Sequence, residues 1–236
     1  MAIEYHLRKH EDKGQFIPQG SGERLMFITH GTSKYTEREE VKMVLDGGCS
    51  WVQLRMKGNM NIFTAREIGQ LINEHTNKCI YCINDNARIA LRCGANAVHL
   101  GKEDISVSAA WEMAKEHNLI FPGETFYIGA TANTFEDIEH AVGQGASYIG
   151  LGPFRYTETK KKLSPVLGLE GYRKIVQQCK EAGYKIPIFA IGGICLEDVA
   201  PLMETGITGI AVSGAIIHAD DPVEETRRFI NEINKY

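Results

Sequence analysis

The sequence predicts a single α/β domain folded as a (β/α)8 barrel, preceded by a polar N-terminal extension. Short apolar runs alternate with amphipathic segments eight times between residues 24 and 236, and such alternation is typical of parallel strands joined by right-handed crossovers. Eight units within 236 residues suit a closed barrel of about 250 residues better than an open sheet. A doubly wound open sheet is the alternative, but no G-x-G-x-x-G follows the first apolar run, which disfavours a dinucleotide-binding fold.

The individual elements follow from periodicity and from residues that start and stop helices. The predicted strands cover residues 25–29, 51–55, 79–83, 96–100, 126–130, 147–151, 186–191 and 209–213. The predicted helices cover residues 36–48, 63–75, 87–94, 107–118, 134–145, 169–183, 196–206 and 222–235. Thr134 is suited to an N-cap and Pro222 to a first helical turn. Residues 1–23 are polar, end in the turn-like QGSGE and are predicted to be an extension rather than a domain.

The second strand and the residues after it, WVQLRMKG, raise a question about function. Alternate side chains of a strand point to opposite faces. Val52 and Leu54 would therefore pack against helices, whereas Gln53, Arg55 and Lys57 would share the other face. Two cations along one strand face indicate an anionic ligand at the end of that strand.

Composition excludes several classes of protein. The net charge of −4 argues against a general nucleic-acid binder. No run of about 18 apolar residues and no apolar N-terminal leader is found, so a soluble, cytoplasmic chain without membrane partners is expected. The sequence leaves the formation of a homo-oligomer open.

Six cysteines are present, and we expect all of them to be reduced structural thiols. Cys79 and Cys82 form a C-x-x-C, but it lies inside an apolar strand, where an offset of three residues sends the two thiols to opposite faces. No second C-x-x-C follows, which disfavours a zinc site.

Polar residues gather at the predicted carboxyl ends of the strands, where barrels of this type carry their active sites. Asp85 and Asp104 follow neighbouring strands, which lie about 4.8 Å apart, so their carboxylates could share one hard cation. Oxygen ligands without histidine or cysteine favour Mg²⁺. The alternative is that each aspartate caps the helix that follows it.

Glycine-rich turns follow the last two strands, in AIGGI and VSGA. The loops after strands 7 and 8 of barrels often bind phosphate through backbone N–H groups, and Gly192 and Gly193 would let the backbone come close to a ligand. Tight strand–helix turns are the alternative. The long loop over residues 152–168 holds two threonines and three consecutive lysines, so it could bring cations to a phosphate. A solvated run of charged side chains is the alternative. His99, inside the fourth strand, is expected to be a wall residue rather than a base.

Several motifs together resemble those of the thiamine-phosphate synthase family. VQLRMK resembles the Q-L-R-x-K of that family, and INDNARIALRCGANAVHLGKED resembles its N-D…V-H-L-G-Q-x-D segment. YIGLGPFRYTETKK, PIFAIGGI and AVSGAI resemble three further segments in the same order. The resemblance runs from about residue 25 to about residue 235, and it implies a barrel that joins hydroxymethylpyrimidine diphosphate to a thiazole phosphate with release of pyrophosphate.

The resemblance also implies roles for individual residues, with phosphorylated small molecules as the binding partners. The residues implied to bind the pyrimidine diphosphate are Gln53, Arg55, Lys57, Asn84 and Thr131. Those implied to bind the thiazole phosphate are Thr157, Glu158, Thr159, Gly193, Val212 and Ser213. Asp85 and Asp104 would hold Mg²⁺ as the cofactor. Arg55, Lys57 and Lys160 would act in catalysis by stabilising the negative charge on the departing pyrophosphate.

The chain departs from the family pattern at three places. Lys102 stands where the family usually has Gln, Arg155-Tyr156 replaces an aromatic residue and proline, and Thr131 stands where Ser is usual. Two other readings stay open. One is a thiazole tautomerase of the same fold, in which a histidine is expected where this chain has Asn133. The other is a non-catalytic sensor of thiazole phosphate or thiamine phosphate.

Overall fold

The structure is a computed structural model that describes residues 18, 20–56, 58, 60–76, 78–120, 126–156 and 165–236. Within these ranges, eight parallel strands pair in chain order and the last pairs with the first, so the sheet closes into a barrel. The strands are β1 Leu25–Ile28, β2 Trp51–Leu54, β3 Ile80–Asn84, β4 Ala97–Leu100, β5 Tyr127–Ala132, β6 Tyr148–Leu151, β7 Ile188–Ile191 and β8 Gly209–Val212. The predicted (β/α)8 fold is thereby confirmed.

Helices cover the outside of the barrel and connect successive strands. They are α1 Glu37–Asp46, α2 Ile62–His75, α3 Ala87–Cys93, α4 Val107–Ile120, α5 Phe135–Gly143, α6 Gly168–Glu181, α7 Val199–Met203, α8 Gly214–Ile217 and α9 Pro222–Ile233. Because every connection returns the chain to the same end of the sheet, all eight strands deliver their carboxyl ends to one rim.

The helix starts follow from side chains that satisfy the first backbone N–H groups. Thr134 is the N-cap of α5, as predicted, and its hydroxyl accepts a hydrogen bond of 3.2 Å from the backbone nitrogen of Asp137. Pro222 is the first residue of α9, also as predicted, and Asp221 caps that helix. These local signals fix where the chain leaves each loop.

The buried side chains form two layers, one inside the barrel and one between the strands and the helices. Trp51 fills the inside, where its ring lies 4.8 Å from that of Tyr148 and 4.7 Å from that of Phe189. Val52 and Leu54 belong to the outer layer. The alternation predicted for the second strand is confirmed, so the face that carries Trp51 and Gln53 is the face that leads to the barrel mouth.

All six cysteines are free thiols, as expected. Cys79 belongs to the outer layer and Cys82 to the interior, so the two residues of the C-x-x-C point to opposite faces. Burial raises the pKa of the Cys49 thiol to about 11 and that of Cys82 to about 12. Both are therefore protonated at neutral pH.

The structure differs from the predicted elements at several points. The predicted helix 196–206 is a 3₁₀ turn, Leu196–Asp198, followed by the short α7, and α8 was not predicted. β5 runs two residues further than predicted because Thr131 and Ala132 still pair with β6. Before β1, the 3₁₀ turn Ser21–Glu23 lies against the barrel, where the Gly22 carbonyl accepts a hydrogen bond of 3.0 Å from the Ser50 nitrogen.

No helix in the described part of the chain combines the length and the apolar character that crossing a bilayer would need.

Candidate active site at the barrel mouth

The strand register brings most of the predicted site residues to one rim. Leu54 pairs with Ile83, so Arg55, just after β2, and Asn84, the last residue of β3, lie side by side. The next pairing, Asn84 with His99, sets the end of β3 beside β4. Across the barrel, Ile191 pairs with Ala211, so the turn after β7 lies beside the residues that end β8. The rim therefore has a polar side at β2 to β4 and a glycine-rich side at β7 and β8.

Arg55 is the first residue after β2, and its backbone is held from the neighbouring strand. Thr29, which is fully buried, accepts a hydrogen bond of 2.8 Å from the Arg55 nitrogen and donates one of 2.9 Å to the Arg55 carbonyl. This pair of bonds fixes the direction in which the chain leaves β2. Gln53 lies deeper, with 1% of its surface exposed, and its amide donates to the Met26 sulfur at 3.2 Å. It forms part of the floor of the mouth rather than its rim.

Asp85 and Asp104 are both exposed at neighbouring strand ends. The Asp85 nitrogen donates a hydrogen bond of 2.8 Å to the His99 carbonyl, which ties it to β4, and its φ of 66° is left-handed. The side chain of Asp104 lies against the end of β4, where its Oδ2 accepts a hydrogen bond of 2.7 Å from the Gly101 nitrogen. The two carboxylates thus stand on segments that are bonded to the same strand.

Helix capping, the alternative role for these two aspartates, is carried out by other residues. Asn86 is the N-cap of α3, and its side chain accepts from the Ile89 nitrogen at 2.9 Å. Before α4, the Ser106 hydroxyl accepts from the Ala109 nitrogen at 3.1 Å. Among the described residues, no cluster of three or more His, Cys, Asp or Glu could hold a metal ion. Two carboxylates at neighbouring strand ends fit Mg²⁺, which takes few protein ligands and keeps water or phosphate oxygens for the rest.

Lys102, one of the departures from the family pattern, is joined to α5. Its ammonium lies 2.5 Å from Oδ2 of Asp137. Burial raises the pKa of the Asp137 carboxyl, but hydrogen bonds from Lys102 and from the nitrogens of Asn133 and Thr134 outweigh burial, so the pKa lies below its ordinary value. Lys102 therefore links the loop after β4 to α5. A cavity of about 330 Å³ beside this ion pair is lined by both Asp104 and Thr131.

Thr131 is the second-last residue of β5 and lies beside His99 of β4. The two side chains share a hydrogen bond of 3.0 Å between Nε2 and Oγ1. His99 is 6% exposed and lies beside Tyr148, with ring centroids 5.6 Å apart and the ring planes tilted by 32°. It is a wall residue, as expected, and it contacts a residue of the predicted site.

The glycine-rich side is formed by the turn after β7 and the end of β8. Gly192 and Gly193 have φ values of 100° and 68°, in the left-handed region that other residues avoid. Val212 is buried at the last position of β8, and the Ser213 hydroxyl oxygen that follows is buried without a hydrogen-bond partner among the described residues. A buried hydroxyl without a partner is uncommon, and a ligand oxygen would satisfy it.

Five predicted site residues lie outside the described residues, so their roles stay predictions from the sequence. These residues are Lys57, Thr157, Glu158, Thr159 and Lys160.

Sequence reasoning missed three residues that hold the mouth in shape, namely Thr29, Arg155 and Asp198. Arg155 forms an ion pair with Asp198 at 2.5 Å, which links the loops after β6 and β7. The only signal in the sequence was that Arg155 departs from the family pattern, and Asp198 gave none.

Comparison with known proteins agrees with the motifs. The family model described as thiamine monophosphate synthase matches residues 25–216. A thiamine-phosphate synthase of Phocaeicola vulgatus is 49% identical over 210 residues, which cover 88% of this chain and 96% of the relative. A thiamine-phosphate synthase of Bacteroides fragilis is 47% identical over 212 residues, which cover 88% of this chain and 98% of the relative.

A solved structure is similar as well. The thiamine phosphate pyrophosphorylase of Pyrococcus furiosus superposes with a TM-score of 0.76 at 31% sequence identity, covering 91% of this chain and 97% of that chain. Fold and sequence agree over nearly the whole barrel. The chain belongs to the thiamine monophosphate synthase family.

Proposed function

We propose that this chain catalyses the Mg²⁺-dependent joining of 4-amino-2-methyl-5-(diphosphooxymethyl)pyrimidine to 4-methyl-5-(2-phosphoethyl)thiazole, or to the carboxylated form of that thiazole, with release of pyrophosphate. The product is thiamine phosphate, and the enzyme is a transferase. One observation carries the proposal: the strand register sets the polar strand ends of β2 to β4 across the mouth from the glycine-rich turns after β7 and β8. Such a mouth suits two phosphorylated substrates that meet above the barrel.

The diphosphate would lie against the polar side. Arg55, Lys57 and Asn84 would bind its oxygens, and Lys160 would approach from the loop after β6. The hydrogen bonds that Thr29 makes to the Arg55 backbone support this assignment, because they hold the guanidinium-bearing residue at the rim before substrate arrives. A preorganised cation stabilises developing negative charge without reorganising during the reaction.

Asp85 and Asp104 would hold Mg²⁺, with Asn84 close to them. When bound, the ion would supply positive charge to the oxygens of the leaving pyrophosphate. The two carboxylates belong to neighbouring loops. Asp85 is hydrogen-bonded to His99 in β4, and Asp104 is hydrogen-bonded to Gly101, the residue after β4. The assignment is supported by the finding that neither helix depends on these aspartates for its cap.

The reaction needs positioning more than proton transfer. The bond between the exocyclic methylene carbon and the diphosphate oxygen breaks, and its electron pair leaves with pyrophosphate. The electron-rich aminopyrimidine stabilises the resulting cation, and the lone pair of the thiazole nitrogen then forms the new carbon–nitrogen bond. Because that nitrogen carries no proton, no general base is required. Gln53 at the floor and Thr131 at the wall would orient the pyrimidine, and Arg55, Lys57 and Lys160 would stabilise the departing anion.

The thiazole phosphate would lie on the glycine-rich side. Gly193, Val212 and Ser213 would contact it from β7 and β8, while Thr157, Glu158 and Thr159 would contact it from the loop after β6. The buried Ser213 hydroxyl supports this placement, because a phosphate or thiazole atom would supply the partner that it lacks among the described residues.

The proposal extends to the setting in which the chain acts. Six free cysteines, most of them buried, suit a reducing compartment such as the cytoplasm, where phosphorylated substrates would be the partners. Neither a nucleic-acid partner nor a membrane is part of this proposal.

The decisive experiment incubates the purified chain with both substrates and MgCl₂ and follows thiamine phosphate and pyrophosphate. We expect the two products in equal amounts, loss of the reaction in excess EDTA, and its return when Mg²⁺ is added back. A chain that only isomerised the carboxylated thiazole phosphate would be a tautomerase. A chain that bound thiazole phosphate or thiamine phosphate without turnover would be a sensor, and either result would overturn the proposal.

A further inference from the structure

Arg155 and Asp198 join the two loops that border the glycine-rich side of the mouth. Nη1 and Nη2 of Arg155 lie 2.5 Å from Oδ2 and Oδ1 of Asp198, so the pair is bidentate. Asp198 is 7% exposed and also accepts a hydrogen bond of 2.9 Å from the Cys195 nitrogen. A bidentate pair of this kind fixes direction as well as distance. We call these two side chains the 155–198 clasp.

The segment that carries Arg155 also binds the backbone of the turn after β7. The nitrogens of Phe154 and Arg155 donate hydrogen bonds of 2.9 Å to the carbonyls of Ile191 and Gly192. Nη1 of Arg155 donates a third, also of 2.9 Å, to the carbonyl of Gly193. Three successive carbonyls of this turn are therefore directed toward the loop after β6.

This arrangement decides where the N–H groups of the turn point. In a trans peptide the N–H of one residue points opposite to the carbonyl of the residue before it, and no cis bond lies in this turn. The N–H groups of Gly193 and Ile194 thus point away from Arg155. Among the described residues, none accepts a hydrogen bond from either group. Two adjacent N–H groups without acceptors are suited to binding an anion.

We propose that the 155–198 clasp is a positioning device that holds residues 192–194 so that the N–H groups of Gly193 and Ile194 face the phosphate of the thiazole substrate. The inference rests on the proposed function for the identity of the ligand. Arg155 acts through the turn: its guanidinium is engaged by Asp198 and by the Gly193 carbonyl, and it does not touch the phosphate. Lysine at this position would keep the charge but could not reproduce the planar fork.

The test measures substrate binding separately from turnover in five variants. The clasp variants are Arg155→Ala, Arg155→Lys, Asp198→Asn and the double variant Arg155→Ala/Asp198→Asn. The matched control is Arg173→Ala, because Arg173 pairs with Glu170 on the exposed surface of α6. Calorimetry gives the Kd of the thiazole phosphate alone, and steady-state kinetics give kcat and the KM of each substrate.

We expect each clasp variant to weaken thiazole-phosphate binding about tenfold or more, with the KM of the pyrimidine diphosphate changed less than about twofold. Arg173→Ala should leave both constants unchanged. Because the two side chains act as one unit, the double variant should bind the thiazole phosphate no more weakly than the single variant with the lower affinity. Asp198→Asn has almost the same shape as the natural residue, and circular dichroism on each variant shows whether it is folded.

Two results would overturn the inference. If Arg155→Ala weakened binding while Asp198→Asn and Arg155→Lys did not, Arg155 would act as a direct cation and not through the clasp. If all clasp variants bound the thiazole phosphate like the natural chain, the pair would have no role in binding. Calorimetry measures both outcomes as binding constants. They are therefore independent of the test of the proposed function, which fails only if the natural chain forms no thiamine phosphate.

Discussion

His99 and Thr131 are joined across β4 and β5 by a hydrogen bond of 3.0 Å between Nε2 and Oγ1. The histidine fits inside the barrel because Gly150 faces it: a Cβ at that position would lie 2.8 Å from Cε1 of His99. The interior of the barrel therefore sets the orientation of a hydroxyl at the mouth. This relationship connects the packing of the core to the pyrimidine side of the proposed site.

Thr131→Val tests that relationship, because valine keeps the shape of threonine and removes the hydroxyl. We expect kcat/KM for the pyrimidine diphosphate to fall about tenfold, the equivalent of one hydrogen bond of about 1.4 kcal/mol. Thr131→Ser is the matched control and should stay within about threefold of the natural chain. Equal kcat/KM values for the valine and serine variants would show that the hydroxyl has no part in binding the pyrimidine.

The barrel could be predicted from the sequence because two patterns are local properties of the chain. These are the alternation of strands with helices and the alternation of side chains between the two faces of a strand. The assignment of Val52 and Leu54 to the outer layer needed only the two-residue period of a strand. The sequence did not predict α8, which has four residues and is too short for a helical period. It also did not predict the break before α7. Pro201 lacks the N–H that a helix over 196–206 would need at that point.

The parts of the site that escaped prediction depend on contacts between distant residues. His99 and Thr131 are 32 positions apart, and Arg155 and Asp198 are 43 apart. No periodicity or motif links such pairs, because they meet only after the barrel has closed. The residues that sequence reasoning selected are those at strand ends, where the fold itself guarantees a shared location.

Asp104 offers a test of the proposed metal site. We expect Asp104→Asn and Asp104→Ala to lower kcat by at least about 100-fold, since charge stabilisation of the leaving group is lost. Stability should change by less than about 0.5 kcal/mol, because Asp104 is exposed. The asparagine variant keeps a side-chain oxygen for the Gly101 N–H.

The control for Asp104 is Glu112→Ala, an exposed carboxylate on α4 that pairs only loosely with Lys115 at 3.8 Å. It should leave kcat unchanged. Isothermal titration with Mg²⁺ and pyrophosphate, together with thermal unfolding, separates a binding defect from a folding defect. If Asp104→Asn turned over at the natural rate, Asp104 would have no place in the metal site.

Lys160 is predicted from the sequence to stabilise the departing pyrophosphate. We expect Lys160→Ala to slow the chemical step by about 100-fold and to leave the Kd of the thiazole phosphate within about threefold. Single-turnover kinetics with preformed complex measure the chemical step directly. The reverse pattern, weaker thiazole-phosphate binding with unchanged chemistry, would assign Lys160 to substrate capture.

Gly193 tests whether the turn after β7 needs its left-handed backbone. An alanine there would adopt φ of 68°, and its Cβ would lie 2.9 Å from the Cβ of Arg155. We expect Gly193→Ala to raise the KM of the thiazole phosphate about tenfold or more. Gly183, at the end of α6, has φ of 75° and open space around it. Gly183→Ala should therefore cost about 1–2 kcal/mol of stability without changing KM. Similar KM values for the two variants would contradict this prediction.

The ion pair between Asp198 and Arg155 should make the stability of the folded chain depend on pH. Burial raises the pKa of its carboxyl, but hydrogen bonds from Arg155 and Cys195 outweigh burial, so the folded pKa lies below the ordinary value of 3.8. A lowered folded pKa means that the ion pair contributes its full stability above the unfolded pKa and loses it as pH falls through the folded value. Arg155 stays charged, since its pKa is raised by the bond to Asp198. Only the aspartate of the pair titrates under acidic conditions.

The measurement compares urea unfolding of the natural chain and Asp198→Asn from pH 8 to pH 3. We expect the natural chain to be more stable by a constant amount down to about pH 5, and this difference to shrink below about pH 4. Glu197→Gln is the control, because Glu197 is the exposed neighbouring carboxylate whose own pKa is lowered by local backbone hydrogen bonding and not by Arg155. Its difference from the natural chain should be small throughout. A stability difference for Asp198→Asn that persisted undiminished at pH 3 would show that the carboxylate charge contributes nothing, and that shape alone accounts for the pairing with Arg155.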